Sequence, residues 1–412
     1  MIPFEKYTLE NGLRVILCEV PGSEVACVNL MYDVGARDEE PHRTGFAHLF
    51  EHLMFGGTPN VPMFDELVDM AGGQNNAFTS NDLTNYYINV PSTNLETALF
   101  LESDRMKGLS FTQESLDVQK QVVIEEFKQR YLNQPYGDIF LLLRPLAYKQ
   151  HPYQWPTIGK EIAHIEQADL QEVKDFFYAH YAPNNAVLCI TGGFDNEEAK
   201  TLIEKHFGSI PKRAVKARNL RPEPVQTEKR ELDVVRPVPA SAMYLAFPMV
   251  ARSHADYPAY DILSDVLGYG DACRLHEALV EEQEIFGSIS CFVGGDKDPG
   301  LFYIAGHLNE GVNMQDAEKA VWDVLETFLE KGFKEGELNR ALQKYLTRFV
   351  ASQVQSFHLA VNLCYYELLT QAEDFEKVLN DYKSLTEEKI LAVAKELLQE
   401  RKSNVLRYQK EA

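Results

Sequence analysis

The 412-residue sequence contains no apolar run near the roughly 18 residues that a membrane-spanning helix needs. Its opening, MIPFEKYTLENGLRV, lacks a basic start followed by an apolar stretch, so no export signal is read there. Together these absences point to a chain without a membrane span and to the cytoplasm. Cysteine is scarce: Cys18, Cys27, Cys189, Cys273, Cys291 and Cys364. None stands in a C-x-x-C pair and several lie in apolar runs, which excludes a disulfide frame and a thiolate metal site. Positive charge is short as well. Forty Lys and Arg face 62 Asp and Glu, a net charge of −22. Phosphates would be repelled, so nucleic acid is excluded as the main partner. A neutral or cationic peptide is compatible with that balance, and a solvated acidic surface accounts for most of it.

What is present is enough apolar material to fold. The chain is 45% hydrophobic and 11% aromatic, which offsets the entropy of ordering. Its length suits two domains of about 200 residues each. The first half opens with strands. Tyr7 to Leu9, the turn Asn11-Gly12 and Leu13 to Val20 read as strand, turn, strand, and Val25 to Val34 as another strand. A short apolar helix over Phe46 to Phe55 stops at Gly56-Gly57, and a second helix spans Met63 to Ala71. Thr84 to Val90 is β-rich, while Asn94 to Met106 and Gln113 to Leu132 carry helical periodicity. A strand over Leu188 to Gly193 and a helix over Asn196 to His206 close this half.

Residues 211 to 224, PKRAVKARNLRPEP, are basic and proline-containing, as a linker would be. The domains expected are therefore 1–212, a linker at 213–230, and 231–412. The second half repeats the coarse order of the first. CVNLMYDVGARDE and SAMYLAFPMVARS stand at matching points, each strand leading to a helix, which suggests an internal duplication.

The first copy alone carries a distinctive set of side chains. His48 and His52, four apart on a helix, lie on one face. Two imidazoles so placed can each give a nitrogen to one tetrahedral Zn²⁺. Glu51 projects near that face, where a carboxylate can take the proton of a metal-held water. H-x-x-E-H is the inverzincin order. A third ligand is expected from Val122-Val123-Ile124-Glu125-Glu126-Phe127. Adjacent helical residues point about 100° apart, so only one of the two glutamates should face the metal, and spacing does not choose between them.

With these residues in hand, the chain resembles the pitrilysin, or insulinase, family of zinc peptidases, which includes the mitochondrial processing peptidase. The resemblance rests on His48-Leu-Phe-Glu51-His52 and on a glutamate 74 positions after His52. It also rests on GGQNNAFTS at 72–80 with Thr84 and Tyr86, on NQPYG at 133–137, and on His151-Pro152-Tyr153 with Ile158-Gly159. It runs over essentially the whole chain. It implies an α+β fold of two similar halves, each an antiparallel sheet with helices. It implies one zinc held by His48, His52 and Glu126, with Glu51 as general base. It implies that a peptide adds as a strand beside Asn76 and Ala77, inside a chamber that two such chains enclose.

Two departures stand out. Where the family often has an acidic residue seven positions before the third ligand, this chain has Gln119. Where active members carry an arginine and a tyrosine seven apart, this chain has Val280 and Gly287. Neither can donate a side-chain hydrogen bond to substrate. The expected partners are therefore a peptide substrate and either a homologous sister chain that supplies the missing pair or a second copy of this chain. A scaffold subunit without turnover is the contrasting expectation, against which the intact ligand set argues.

Overall fold

A computed structural model describes residues 3–411. The described residues pack into two units, each built from three segments: residues 3–130, 155–220 and 350–376 in one, the remaining described residues in the other. The contiguous division expected from the sequence thus gives way to one in which each half lends a segment to the other's unit. Periodicity cannot reveal this, because the packing involved joins residues far apart in sequence.

The first unit holds six strands: β1 (Glu5–Thr8), β2 (Arg14–Glu19), β3 (Val25–Tyr32), β4 (Gln74–Thr79), β5 (Thr84–Pro91) and β6 (Ala186–Gly192). They lie in the order β1-β2-β6-β3-β5-β4. All pairs are antiparallel except β2 with β6. Its helices include α1 (Phe46–Leu53), α2 (Phe64–Met70), α3 (Leu95–Lys107) and α4 (Gln113–Phe127). The opposite face of the sheet is covered by the helix Ser356–Leu369, which packs on β3 and β6. With both faces covered, β6 (AVLCITG) is buried at every residue, which explains why its sequence does not alternate.

The second unit holds β7 (Arg230–Arg236), β8 (Ala242–Pro248), β9 (Phe286–Gly294), β10 (Leu301–Leu308) and β11 (Asn404–Lys410). Their order is β7-β11-β8-β10-β9, with β7 and β11 parallel. In chain order this is first, last, second, fourth, third. The first unit follows the same permutation once β1 is set aside, again with the first and last strands parallel. The duplication read from the sequence is therefore one of topology. Here α5 (Ile139–Ala147) backs the sheet. Ile139, Leu143 and Ala147 join Ala242, Ala246, Leu301 and Leu406 in one core layer. Met243, Leu245 and Phe247 face the other way, into a larger core with the helix Tyr257–Gly268.

The region around α1 is braced from within. The guanidinium of Arg105, fully buried on α3, pairs with both oxygens of Glu102. It lies over Tyr86, Phe64 and Phe55 at 4.4, 4.8 and 5.5 Å from their ring centres. One cation thus ties α3 to β5, to α2 and to the loop after α1, and removing one partner of such a buried pair is strongly destabilising.

Candidate metal centre

Helix α1 begins where the chain turns sharply. Gly45 has φ of 89°, and a Cβ there would sit 2.7 Å from the carbonyl oxygen of Ile158, so only glycine fits. Just before it, Glu39 supplies what the helix start needs. Its two carboxylate oxygens accept hydrogen bonds from the Gly45 and Ala47 amides at 2.9 and 2.8 Å. These are amides that no preceding turn can satisfy. Behind α1, Phe50 is fully buried and stacks on Phe176 and Tyr181.

The opposite face of α1 carries the histidines. Their rings meet edge to face at 4.8 Å between centres. Near the end of α4, Glu126 presents Oε2 to both: 3.6 Å from His48 Nε2 and 3.3 Å from His52 Nε2. One ligand atom from each of the three lies within 4.8 Å of the others, and among the described residues no other such group of His, Cys, Asp and Glu occurs. Atoms about 2.0–2.2 Å from a tetrahedral zinc stand about 3.3–3.6 Å apart. The two nitrogen-to-oxygen separations fall in that range, so the donor set fits the ion. Glu125, the alternative, points elsewhere: it is exposed and pairs with Lys128 at 2.7 Å.

Electrostatics favour the same use. Burial pushes His48 down to about 4, which leaves the ring neutral with a lone pair to offer. Its Nδ1 is buried without a hydrogen-bond partner, so packing rather than a second contact orients this ring. The hydrogen bond with His52 holds Glu126 below its ordinary range against the opposing effect of burial, with His48 and Arg130 adding to it.

Glu51 lies beside this group. Burial raises its carboxyl above the usual range, while the hydroxyl of Thr79 donates to Oε2 at 2.6 Å and works the other way. Thr79 belongs to β4, the edge strand of its sheet. On that strand Asn76 is exposed and Ala77 half-buried. The Ala77 amide donates to the side chain of Asn76 at 2.8 Å rather than to β5, which marks the free edge of the strand. Gln119 is half-buried on α4. Val280 packs against the core of the second unit, and Gly287 lies on β9.

Three participants were not singled out from the sequence: Thr79, Glu39 and Arg130. Thr79 stands two residues beyond Ala77, so strand alternation puts both on one face, a signal that was available. Glu39 and its capping role depend on a hairpin-like return of the chain that no local pattern announces. Arg130, four residues after Glu126, was legible as an (i, i+4) pair.

Glu39 yields a pH test. Burial pushes it up to about 8, opposed by the Ala47 and Gly45 amides and by Trp155. A carboxyl raised on folding adds stability that is full below its unfolded value near 4.5 and is lost as pH rises to about 8. Unfolding measured across that window should lose up to about 1.4 kcal/mol per pH unit from this one group. Glu39→Gln should flatten the slope. An unchanged slope in the variant would show that Glu39 binds no extra proton in the folded chain.

Comparison with known proteins adds names to this geometry. A model described as insulinase (peptidase family M16) matches residues 14–161, and one described as the peptidase M16 inactive domain matches 167–345. His48, Glu51, His52, Asn76, Ala77, Thr79 and Glu126 all fall in the first stretch, and the second contains no H-x-x-E-H. The zinc protease PqqE of Helicobacter pylori is 28% identical over 98% of this chain and 92% of its own. The zinc protease YmxG of Bacillus subtilis is 25% identical over 96% of each. A solved protease from Helicobacter pylori superimposes with a TM-score of 0.94 at 27% identity, covering 99% of this chain and 100% of that one. No described helix is long and apolar enough to cross a membrane. A two-unit fold with repeated topology, a His-His-Glu triad in one unit only, and relatives of near full length place this chain in the insulinase family of peptidases, M16.

Proposed function

We propose that the chain is a zinc-dependent endopeptidase acting on short or unfolded peptides. The observation that carries this reading is the convergence of His48, His52 and Glu126 on one point, with Glu51 beside it. When bound there, zinc would supply Lewis acidity, polarising a peptide carbonyl and acidifying water. The remaining work falls to side chains. Glu51, half-buried and held above its ordinary range by that burial, accepts the proton of the attacking water and passes it to the leaving amine. Thr79 holds one oxygen of Glu51 and leaves the other free for that transfer.

Substrate enters this scheme as an added strand. The free edge of β4 offers main-chain groups that pair with any extended peptide, which gives affinity without demanding one sequence. Asn76 would release the Ala77 amide to the incoming chain and turn its own amide to the peptide carbonyl. A segment already paired within a folded protein cannot lie there, so unfolded peptides are selected. The complete donor set favours turnover over a silent scaffold. Val280 and Gly287 leave no side-chain donor at the positions where the resemblance sets an arginine and a tyrosine, and a sister chain is proposed to supply that pair.

Three outcomes test this reading. Glu51→Gln should keep zinc at the wild-type stoichiometry and lower cleavage of a quenched fluorescent peptide by about 10²–10⁴-fold. Retained activity would remove Glu51 from its role. A hydrogen bond to a charged group is worth about 1.5–3 kcal/mol. Thr79→Val should therefore lower kcat about 10- to 100-fold with little change in KM, and Thr79→Ser should restore it. Failure of serine to rescue would reduce Thr79 to a packing role. Mixing with a homologous sister chain should raise turnover; equal rates with and without it would show that the chain works alone.

A further inference from the structure

Immediately after α4 the backbone widens into a π-helical turn over Lys128–Leu132. Such turns are rare and often found at functional sites. Two of its residues reach back to glutamates that are adjacent in sequence. Lys128 draws Glu125 outward at 2.7 Å, and Arg130 Nη1 holds Glu126 Oε1 at 2.8 Å. The two oxygens of Glu126 are thereby divided: Oε1 to the guanidinium, Oε2 to the two imidazoles.

From this geometry we propose that Arg130 is a positioning residue for Glu126, fixing which carboxylate oxygen faces the metal. The inference rests on the zinc reading and deepens it. Arg130 is 70% exposed, so the ion pair adds little to folding stability. Its effect lies in orientation. A free glutamate tip rotates, whereas one with an oxygen held from behind presents the other as a single ligand atom. Partners of this kind, one step removed from a metal, typically alter affinity 10- to 100-fold when removed. The charge of Arg130 also reaches His48 and Glu51. Gln119, seven residues before Glu126, has no charge to offer in this task. The anchor for Glu126 therefore comes from the chain that follows α4, from a residue four positions on.

The test is zinc affinity, measured by competition with a chromophoric chelator on the full chain. Arg130→Gln should weaken zinc binding about 10-fold. The thermal midpoint of the metal-free chain should stay where it is. Arg130→Lys, which keeps the charge but loses the planar fork, should fall between. Lys128→Gln, which disturbs only the Glu125 pair, should bind as wild type does. Wild-type affinity in Arg130→Gln would overturn the proposal while leaving the zinc site standing. A fall in the metal-free midpoint would make Arg130 a structural brace and overturn it as well. Absence of stoichiometric zinc in the wild type would overturn the peptidase reading itself, and this inference with it.

Discussion

A helix of eight residues is too short to persist on its own in water. The geometry of the candidate metal centre therefore depends on what clamps α1. Glu39 holds its first amides, Gly45 gives the turn that aims it, and Phe50 anchors its back against Phe176 and Tyr181. At its far end, Arg105 packs across Phe55, Phe64 and Tyr86. None of these groups reaches the histidines. Each removes a way in which α1 could slide or rotate, and a rotation of one residue would carry His48 and His52 about 100° away from Glu126. The donor separations are thus a property of the clamp as much as of the ligands.

The same strand permutation builds both units, yet the His48, His52 and Glu126 cluster sits in one. Where the first unit has α1 after β3, the other has, after β8, the helix Tyr257–Gly268, YPAYDILSDVLG. Its residues are nearly all buried and it offers neither histidine nor glutamate. The repeat supplies a scaffold, and the candidate site is a few side chains placed on one copy. Each sheet also takes a backing helix from the other half of the sequence, α5 in one and Ser356–Leu369 in the other. Neither half of the chain holds all the segments of its own unit.

Much of this was legible from the residues. The spacing of His48, Glu51 and His52 places them on one helical face whatever the fold around them. The helices expected at Phe46 to Phe55, Met63 to Ala71, Asn94 to Met106 and Asn196 to His206 lie within a few residues of those observed, whereas α5 and the helix Ser356–Leu369 were not anticipated. What the sequence left open is long-range. Glu125 and Glu126 are equivalent by composition, and only the direction of α4 relative to α1 separates them. β4, QNNAFT, looks like a polar turn because it is an edge strand with little to bury. The helical pattern from Gln113 ran unbroken to Leu132, yet the last five residues form a π-turn, a change of pitch without a compositional mark. Segment exchange between the units depends on packing between segments far apart in the chain and has no local signature.

The central claim is that α1 and the end of α4 together make one zinc site. Calorimetric titration of zinc into metal-free chain tests it most directly, with wild type, Glu125→Gln and Glu126→Gln compared side by side. The account predicts one tight site in wild type and in Glu125→Gln, and a large loss of affinity in Glu126→Gln. Equal affinity in the two variants, or a loss confined to Glu125→Gln, would contradict it.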